Sequence, residues 1–269
     1  MDHQAVDTVR QMALRAMLGG LQMRRKVYRM EVAGKLAEAG RTSKLPLEFT
    51  SQFGECMTLW DLFEGQWEGY FIECGAYDGR NTSVTYPFEA MGWSGLLVEA
   101  IPAPAHQCAA NRPNSRVIHA ALSRRGAAPE ATFHVARGLE LMSYLQPSEG
   151  QTAMVQRQGG GAVDQVRVPV TTMDALLGDD PRLSGGGRVD FAVIDVEGNE
   201  LDVLDGFDLD RWRPRAVVLE ENQLHPQSPL VQHMLARGYH HIGYLWVNHF
   251  FVRRDDAALM ERAARTYLY

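Results

Sequence analysis

The sequence of 269 residues predicts an α/β fold: a mostly parallel sheet with an N-terminal helical cover and a C-terminal antiparallel hairpin. Three observations carry this. From Gly69 onward, short apolar runs are each followed by a turn and then by helix-prone residues, the pattern of βαβ units. Near the C-terminus, Tyr239–Trp246 and Asn248–Arg253 are separated by almost nothing, a spacing that only antiparallel pairing satisfies. Up to about Gly40 the chain is dominated by Ala, Leu, Met and Arg, with apolar residues at three- and four-residue spacing, which predicts helix.

The elements follow in order. An amphipathic helix covers about Val6 to Leu36 and stops near Gly40, Arg41–Pro46 reads as a linker, and Phe53–Phe63 as a short helix leading into the core. Five parallel strands are predicted at Tyr70–Cys74, Gly95–Glu99, Arg116–Ala121, Val189–Asp195 and Ala216–Glu220. Between the third and fourth, Thr132–Val135 and Gln165–Val170 read as an inserted hairpin whose loop contains Gly159-Gly160-Gly161, followed by a helix at Thr172–Leu177. Another helix is expected at Leu201–Leu204. The expected division is an N-terminal extension over residues 1–68 and one catalytic domain over 69–269, with the insertion at about 124–171.

Composition narrows the function. Net charge is −6 and no long Lys/Arg run occurs, which argues against nucleic acid as a partner. The cluster Arg24-Arg25-Lys26 reads as a solvated helix face, not a membrane anchor. Three cysteines without C-x-x-C spacing suggest neither a disulfide framework nor a zinc site. No stretch has the apolar length that spans a bilayer, and Asp2 and Asp7 do not fit a signal peptide, so a cytoplasmic location is expected.

The chemistry sits at strand ends. In Glu73-Cys74-Gly75-Ala76-Tyr77-Asp78-Gly79, an acid and two glycines follow the first strand; Gly75 permits a tight turn, and a carboxylate there can meet the cationic amino group of an amino-acid-bearing cofactor. A plain βα turn is the alternative reading. Tyr77 occupies the middle glycine position of G-x-G-x-x-G, which disfavours a dinucleotide. Glu99, ending Leu96-Leu97-Val98-Glu99-Ala100, is placed to accept hydrogen bonds from both ribose hydroxyls, or else is a surface acid. Ala120 and Ala121 leave room for an adenine ring or are ordinary packing, and His119 before them reads as a core histidine.

In Ile194-Asp195-Val196-Glu197-Gly198-Asn199-Glu200, three acids crowd one strand-to-helix turn. Asp195 belongs at the sheet's carboxyl edge, where open α/β folds bind ligands, while Glu200 reads as a helix cap. After the fifth strand, Glu221 and Asn222 could face Asp195 and together supply oxygen ligands for Mg²⁺, or could simply be loop groups bonded to backbone. His225 could deprotonate a hydroxyl, or be a loop histidine.

These residues resemble the FkbM family of methyltransferases from about Phe49 to Asn222. The likeness is carried by Ser51-Gln52-Phe53-Gly54-Glu55, by Phe71 to Gly79, by Gly92-Trp93-Ser94-Gly95-Leu96-Leu97-Val98-Glu99 and by Ile194 to Glu200. The resemblance implies a Rossmann-like seven-stranded methyltransferase sheet, S-adenosylmethionine as donor, and O-methylation of a natural product or sugar. It also departs from the family, which often has Lys two residues before the strand-end Asp where this chain has Val193.

On that likeness the cofactor residues are Gln52, Glu73, Gly75, Ala76, Asp78, Gly79, Asn81, Glu99, Ala100, Ala120, Ala121 and Asp195. Asp195 orients the acceptor hydroxyl, with Glu197 or His225 taking its proton, and Asp195, Glu221 and Asn222 are the candidate Mg²⁺ ligands. The expected partner is a small-molecule acceptor, with a homodimer through the N-terminal helix. The rival classes are a non-catalytic binding module and an NAD-dependent oxidoreductase.

Overall fold

The computed structural model describes residues 3–136, 163–184, 186–221, 228–266 and 268, with side chains from Leu18 onward. Helix α1 (His3–Glu38) leads into α2 (Glu55–Phe63), followed by β1 (Tyr70–Cys74), α3 (Tyr86–Met91), β2 (Ser94–Glu99), α4 (Pro102–Asn111), β3 (Arg116–His119) and β4 (Ala121–Leu122). Then come β5 (Glu130–Ala136), β6 (Val163–Thr171), α5 (Met173–Gly178), β7 (Phe191–Ile194), α6 (Glu200–Asp205), α7 (Leu209–Trp212) and β8 (Ala216–Glu220). Helix α8 (Pro229–Ala236), β9 (Tyr239–Leu245), β10 (Asn248–Arg253) and α9 (Ala257–Ala263) complete the order.

The main sheet has seven strands in the order β3-β2-β1-β7-β8-β10-β9. The first five are mutually parallel, and β10 runs antiparallel to both β8 and β9. The hairpin does not simply add to the edge: its second strand inserts between β8 and β9. Because successive strand residues face opposite sides, Phe71, Phe191 and Val193 join one core cluster with α2, Trp60, Phe63 and Phe88. Their neighbours Ile72, Ala192 and Ile194 join the cluster on the opposite face with Leu176, Leu204 and Phe251. Helix α2, expected as an approach to the core, is itself core: Cys56, Met57, Leu59 and Leu62 are fully buried.

The insertion forms the expected hairpin, β5 antiparallel to β6 from Glu130 opposite Pro169 to Ala136 opposite Val163. Its Gly-rich loop around residues 159–161 lies outside the described residues. One strand ends earlier than predicted. Ala120 N donates to Glu99 O, closing the pairing with β2, and Ala121 and Leu122 then pair with Val170 and Thr171 of the insertion, so the chain changes sheets between β3 and β4. Two further expectations are corrected here. His119 is exposed, its Nε2 3.0 Å from Ala100 O, because it ends an edge strand. Arg25 is not a free surface charge: it donates to Ser51 O at 2.6 Å and ties α1 to the segment before α2.

Among the described residues no helix is long and apolar enough to cross a membrane.

Candidate active site

The cleft opens at the carboxyl ends of β1, β2 and β7, where an open parallel sheet splits its connections to either side. Its centre is a meeting of three turns. Gly75 N and Ala76 N donate to Val98 O at 3.0 and 3.1 Å, and Asp195 N donates to Cys74 O at 3.2 Å. Gly75 adopts φ +77°, and a Cβ built on it would lie 1.8 Å from the Asp195 carbonyl oxygen. The tight turn and close approach expected of Gly75 therefore serve contact between two strand ends.

The expected acids have distinct surroundings. Glu99 is buried; its Oε2 accepts from Tyr77 N and its Oε1 from Ile101 N, both at 2.7 Å. Burial raises its pKa, and these backbone bonds partly oppose that. Glu73 lines the cleft, yet its Oε1 accepts from Val84 N at 2.7 Å and its Oε2 from the hydroxyls of Ser83 and Thr85 at 2.7 and 2.5 Å. The carboxylate thus shapes the loop between β1 and α3.

Beneath it lies fully buried Arg112. Its guanidinium bonds Glu89 at 2.7 Å, Gly79 O, Ser83 Oγ and Thr85 Oγ1, and approaches Glu73 at 3.5 Å. Asp78, Gly79 and Asn81 stand outside the cleft lining: Asp78 Oδ1 accepts from Arg80 N and Asn81 N, and Gly79 packs on Cys108 and Arg112.

At the β7 end, the register aligning Ile194 with Leu219 sets Asp195 beside Glu220. Carboxylate oxygens of Asp195, Glu197 and Glu220 all lie within 4.8 Å of one another. Of the expected oxygen set, Asp195 belongs to this group, and Glu220 joins it because it and Asp195 lie at matching positions on adjacent strands. Glu221 is buried, with its N donating to Val247 O at 2.7 Å. Asn222 and His225 lie outside the described residues.

Burial and the neighbouring charges of Glu220 and Glu200 push the Asp195 pKa well above the usual carboxylate range. Burial, with Asp195 and Glu200 nearby, raises Glu197 to about 8. Glu197 also sits at φ +57°, a left-handed conformation that costs a non-glycine residue about 1–3 kcal/mol. Glu200 accepts from Val196 N and Gly198 N at 3.0 and 3.1 Å, fastening the turn at the start of α6.

Gln52, Ala76, Ala100, Ala120 and Ala121 line the same cleft, so α2's entry, the β2 end and β4 all reach it. Three further lining residues were not singled out from sequence. Glu55 accepts from Asn248 Nδ2 at 2.7 Å, joining α2 to the C-terminal hairpin, and Phe133 enters from the insertion. Glu55 lay within the quoted stretch Ser51–Glu55, and its place at the start of a helix was the available signal; Asn248 and Phe133 reach the cleft only through tertiary contacts.

The lining includes five carboxylates, Glu55, Glu73, Glu99, Asp195 and Glu197, and no Lys, Arg or His among the described residues. Such a wall attracts a cationic ligand and gives nothing to neutralise a pyrophosphate. S-adenosylmethionine, with sulfonium and ammonium against one carboxylate, matches this donor set.

Among solved structures, the fold is similar to precorrin-6y C5,15-methyltransferase from Geobacter metallireducens, at 16% identity and TM-score 0.40, covering 74% of this chain and 77% of that one. It is also similar to a TehB-like SAM-dependent methyltransferase from Corynebacterium glutamicum, at 10% identity and TM-score 0.39, covering 87% of this chain and all of that one. Neither likeness is near enough to inform on substrate. No curated protein sequence matches the chain. The model of the methyltransferase FkbM domain matches residues 73–244, well over half of the chain, including the carboxyl ends of β1, β2 and β7. This protein therefore belongs to the FkbM family of S-adenosylmethionine-dependent methyltransferases.

Proposed function

We propose that the protein methylates a hydroxyl group of a small-molecule acceptor, using S-adenosylmethionine. The observation that carries this is the cleft wall: five carboxylates, no cationic side chain among the described residues, and three of the acids, Glu99, Asp195 and Glu197, with raised affinity for a proton. When bound, the cofactor supplies an electrophilic methyl group; the chain must hold an acceptor in line with it and take up a proton.

Glu99 uses one lone pair of each oxygen on backbone N–H groups, leaving others for ribose hydroxyls. Ala120, Ala121 and Phe133 provide a flat, uncharged wall suited to adenine. Asp195 orients the acceptor hydroxyl, and Glu197, with a pKa of about 8, receives its proton when ionised, a form whose share grows as pH rises towards 8.

Calorimetric titration with S-adenosylmethionine and S-adenosylhomocysteine, with NAD as control and with Glu99→Ala, tests the reading. Saturable binding weakened about 10- to 100-fold by the substitution is expected, since a charge-assisted hydrogen bond contributes about 1.5–3 kcal/mol. Binding of NAD alone would return the oxidoreductase reading, and absence of any nucleoside binding the non-catalytic one. Turnover on hydroxylated acceptors, against amine analogues, then tests O-methylation.

A second reading is favoured by the closeness of Asp195, Glu197 and Glu220: a Mg²⁺ ion held among their oxygens, which an acceptor hydroxyl joins. Loss of turnover on chelation, restored by Mg²⁺, would select it.

A further inference from the structure

Helix α1 meets the rest of the chain along one face. Val32 and Leu36 are buried there, Tyr28 packs against Phe49 and donates to Asp61 at 2.7 Å, and Arg25 reaches Ser51 O. The diametrically opposite face holds Gly20, Met23, Val27, Met30, Gly34 and Ala37, all exposed. Met23, Val27 and Met30 are 61%, 52% and 73% exposed, an unusual cost for three large apolar side chains on one helix stripe. These six positions alternate steps of three and four residues, the repeat with which two helices pack along a seam. The sequence keeps the same alternation upstream at Val6, Val9, Ala13 and Ala16.

The glycines sharpen the argument. A Cβ added to Gly20 or Gly34 would meet nothing within 4 Å, so no other part of the described chain requires their smallness. A glycine inside a helix costs about 1 kcal/mol relative to alanine. A neighbouring helix whose backbone approaches closely at those points would account for both.

The flanking charges identify the neighbour. Lys26 borders the stripe on one side and Glu31 on the other, five residues on. At that separation, the charges beside a seam of two identical parallel helices in register face each other. Reversing one helix sets Glu31 beside Arg24 of the second copy, so a second copy brings opposite charges together in either orientation. An anionic membrane surface would meet Glu31 and Glu38 beside the stripe as well as Arg24 and Lys26, a balance with no net positive charge to attract it.

We propose that a second copy of this chain covers the exposed face of α1, forming a two-helix seam about 26 Å long over Gly20–Ala37. The interface lies on the side of α1 turned away from the chain's own core, so it needs nothing from the catalytic reading. Each chain keeps its whole cleft.

Sedimentation velocity of the full chain at micromolar concentration is expected to give the mass of a dimer. The double variant Met23→Glu, Met30→Glu is expected to halve that mass while its melting temperature and S-adenosylhomocysteine affinity stay within twofold of wild type's. A Val27→Cys variant should form an interchain disulfide on mild oxidation, the native cysteines being buried. A monomeric wild-type chain would overturn the proposal, as would a dimer that survives both glutamates, or flotation with anionic vesicles without self-association.

Discussion

The Cα of Gly75 faces the carbonyl oxygen of Asp195 so closely that a single added carbon would lie 1.8 Å from it. The first and fourth parallel strands of the sheet are therefore locked together at the point where both turn into the cleft. Gly75→Ala must displace one turn or the other, and its φ of +77° adds backbone strain. We expect a loss of about 3 kcal/mol or more in stability, by denaturant unfolding, with cofactor binding abolished in whatever folds. A variant of native stability would mean the two turns can separate freely.

Asp195→Asn retains the side chain's shape and removes its ionisable oxygen. Turnover is expected to fall about 10²-fold, the cost of misplacing the acceptor hydroxyl, while S-adenosylhomocysteine binding is kept. Single-turnover kinetics beside calorimetry separate the two effects; full activity would remove Asp195 from the reaction.

Glu197 makes a prediction about stability. Its folded pKa of about 8 exceeds the ordinary 4.5, so between these values the native state holds a proton that the unfolded chain releases. Stability from this group is present at low pH and lost as pH rises towards 8. Glu197→Gln removes that loss. Its melting temperature at pH 8.5 should exceed wild type's, with turnover reduced. An unchanged pH profile would contradict the assigned burial.

His249 behaves oppositely. Burial and the neighbouring His241, 3.1 Å away, lower its pKa to about 4 from 6.5. The unfolded chain therefore binds the proton first, and stability falls as the solution is acidified from 6.5 towards 4. In His249→Gln the melting temperature should decline less steeply across that window; an identical slope in both proteins would locate the acid sensitivity elsewhere.

Much of the sheet was legible because buried parallel strands read as continuous apolar runs, as Tyr70–Ile72 and Leu96–Val98 do. The strand-end acids and Gly75 stood out for the same reason, a charge or a glycine breaking an apolar run. What escaped was tertiary. Ala121 continues the apolar pattern of β3 whether or not it changes sheets, so only its pairing with Val170 ends the strand. Glu220 and Glu221 are indistinguishable until the register against β7 decides which faces Asp195. Glu73 is recognisable as a strand-end acid, but the hydroxyls that occupy it come from Ser83 and Thr85. Arg112 resembles any charge near a helix end, and only the fold encloses it.

The position of β10 between β8 and β9 has a bearing on how the protein is made. As the chain leaves the ribosome, β8 presents an open edge through the synthesis of α8 and β9, because its neighbour, residues 248–253, comes later. Asn248, which anchors Glu55 at the cleft, arrives with that same strand. Completion of the sheet and completion of the cleft are thus one late event, and a nascent chain halted before residue 248 carries an exposed strand edge of the kind that chaperones shield.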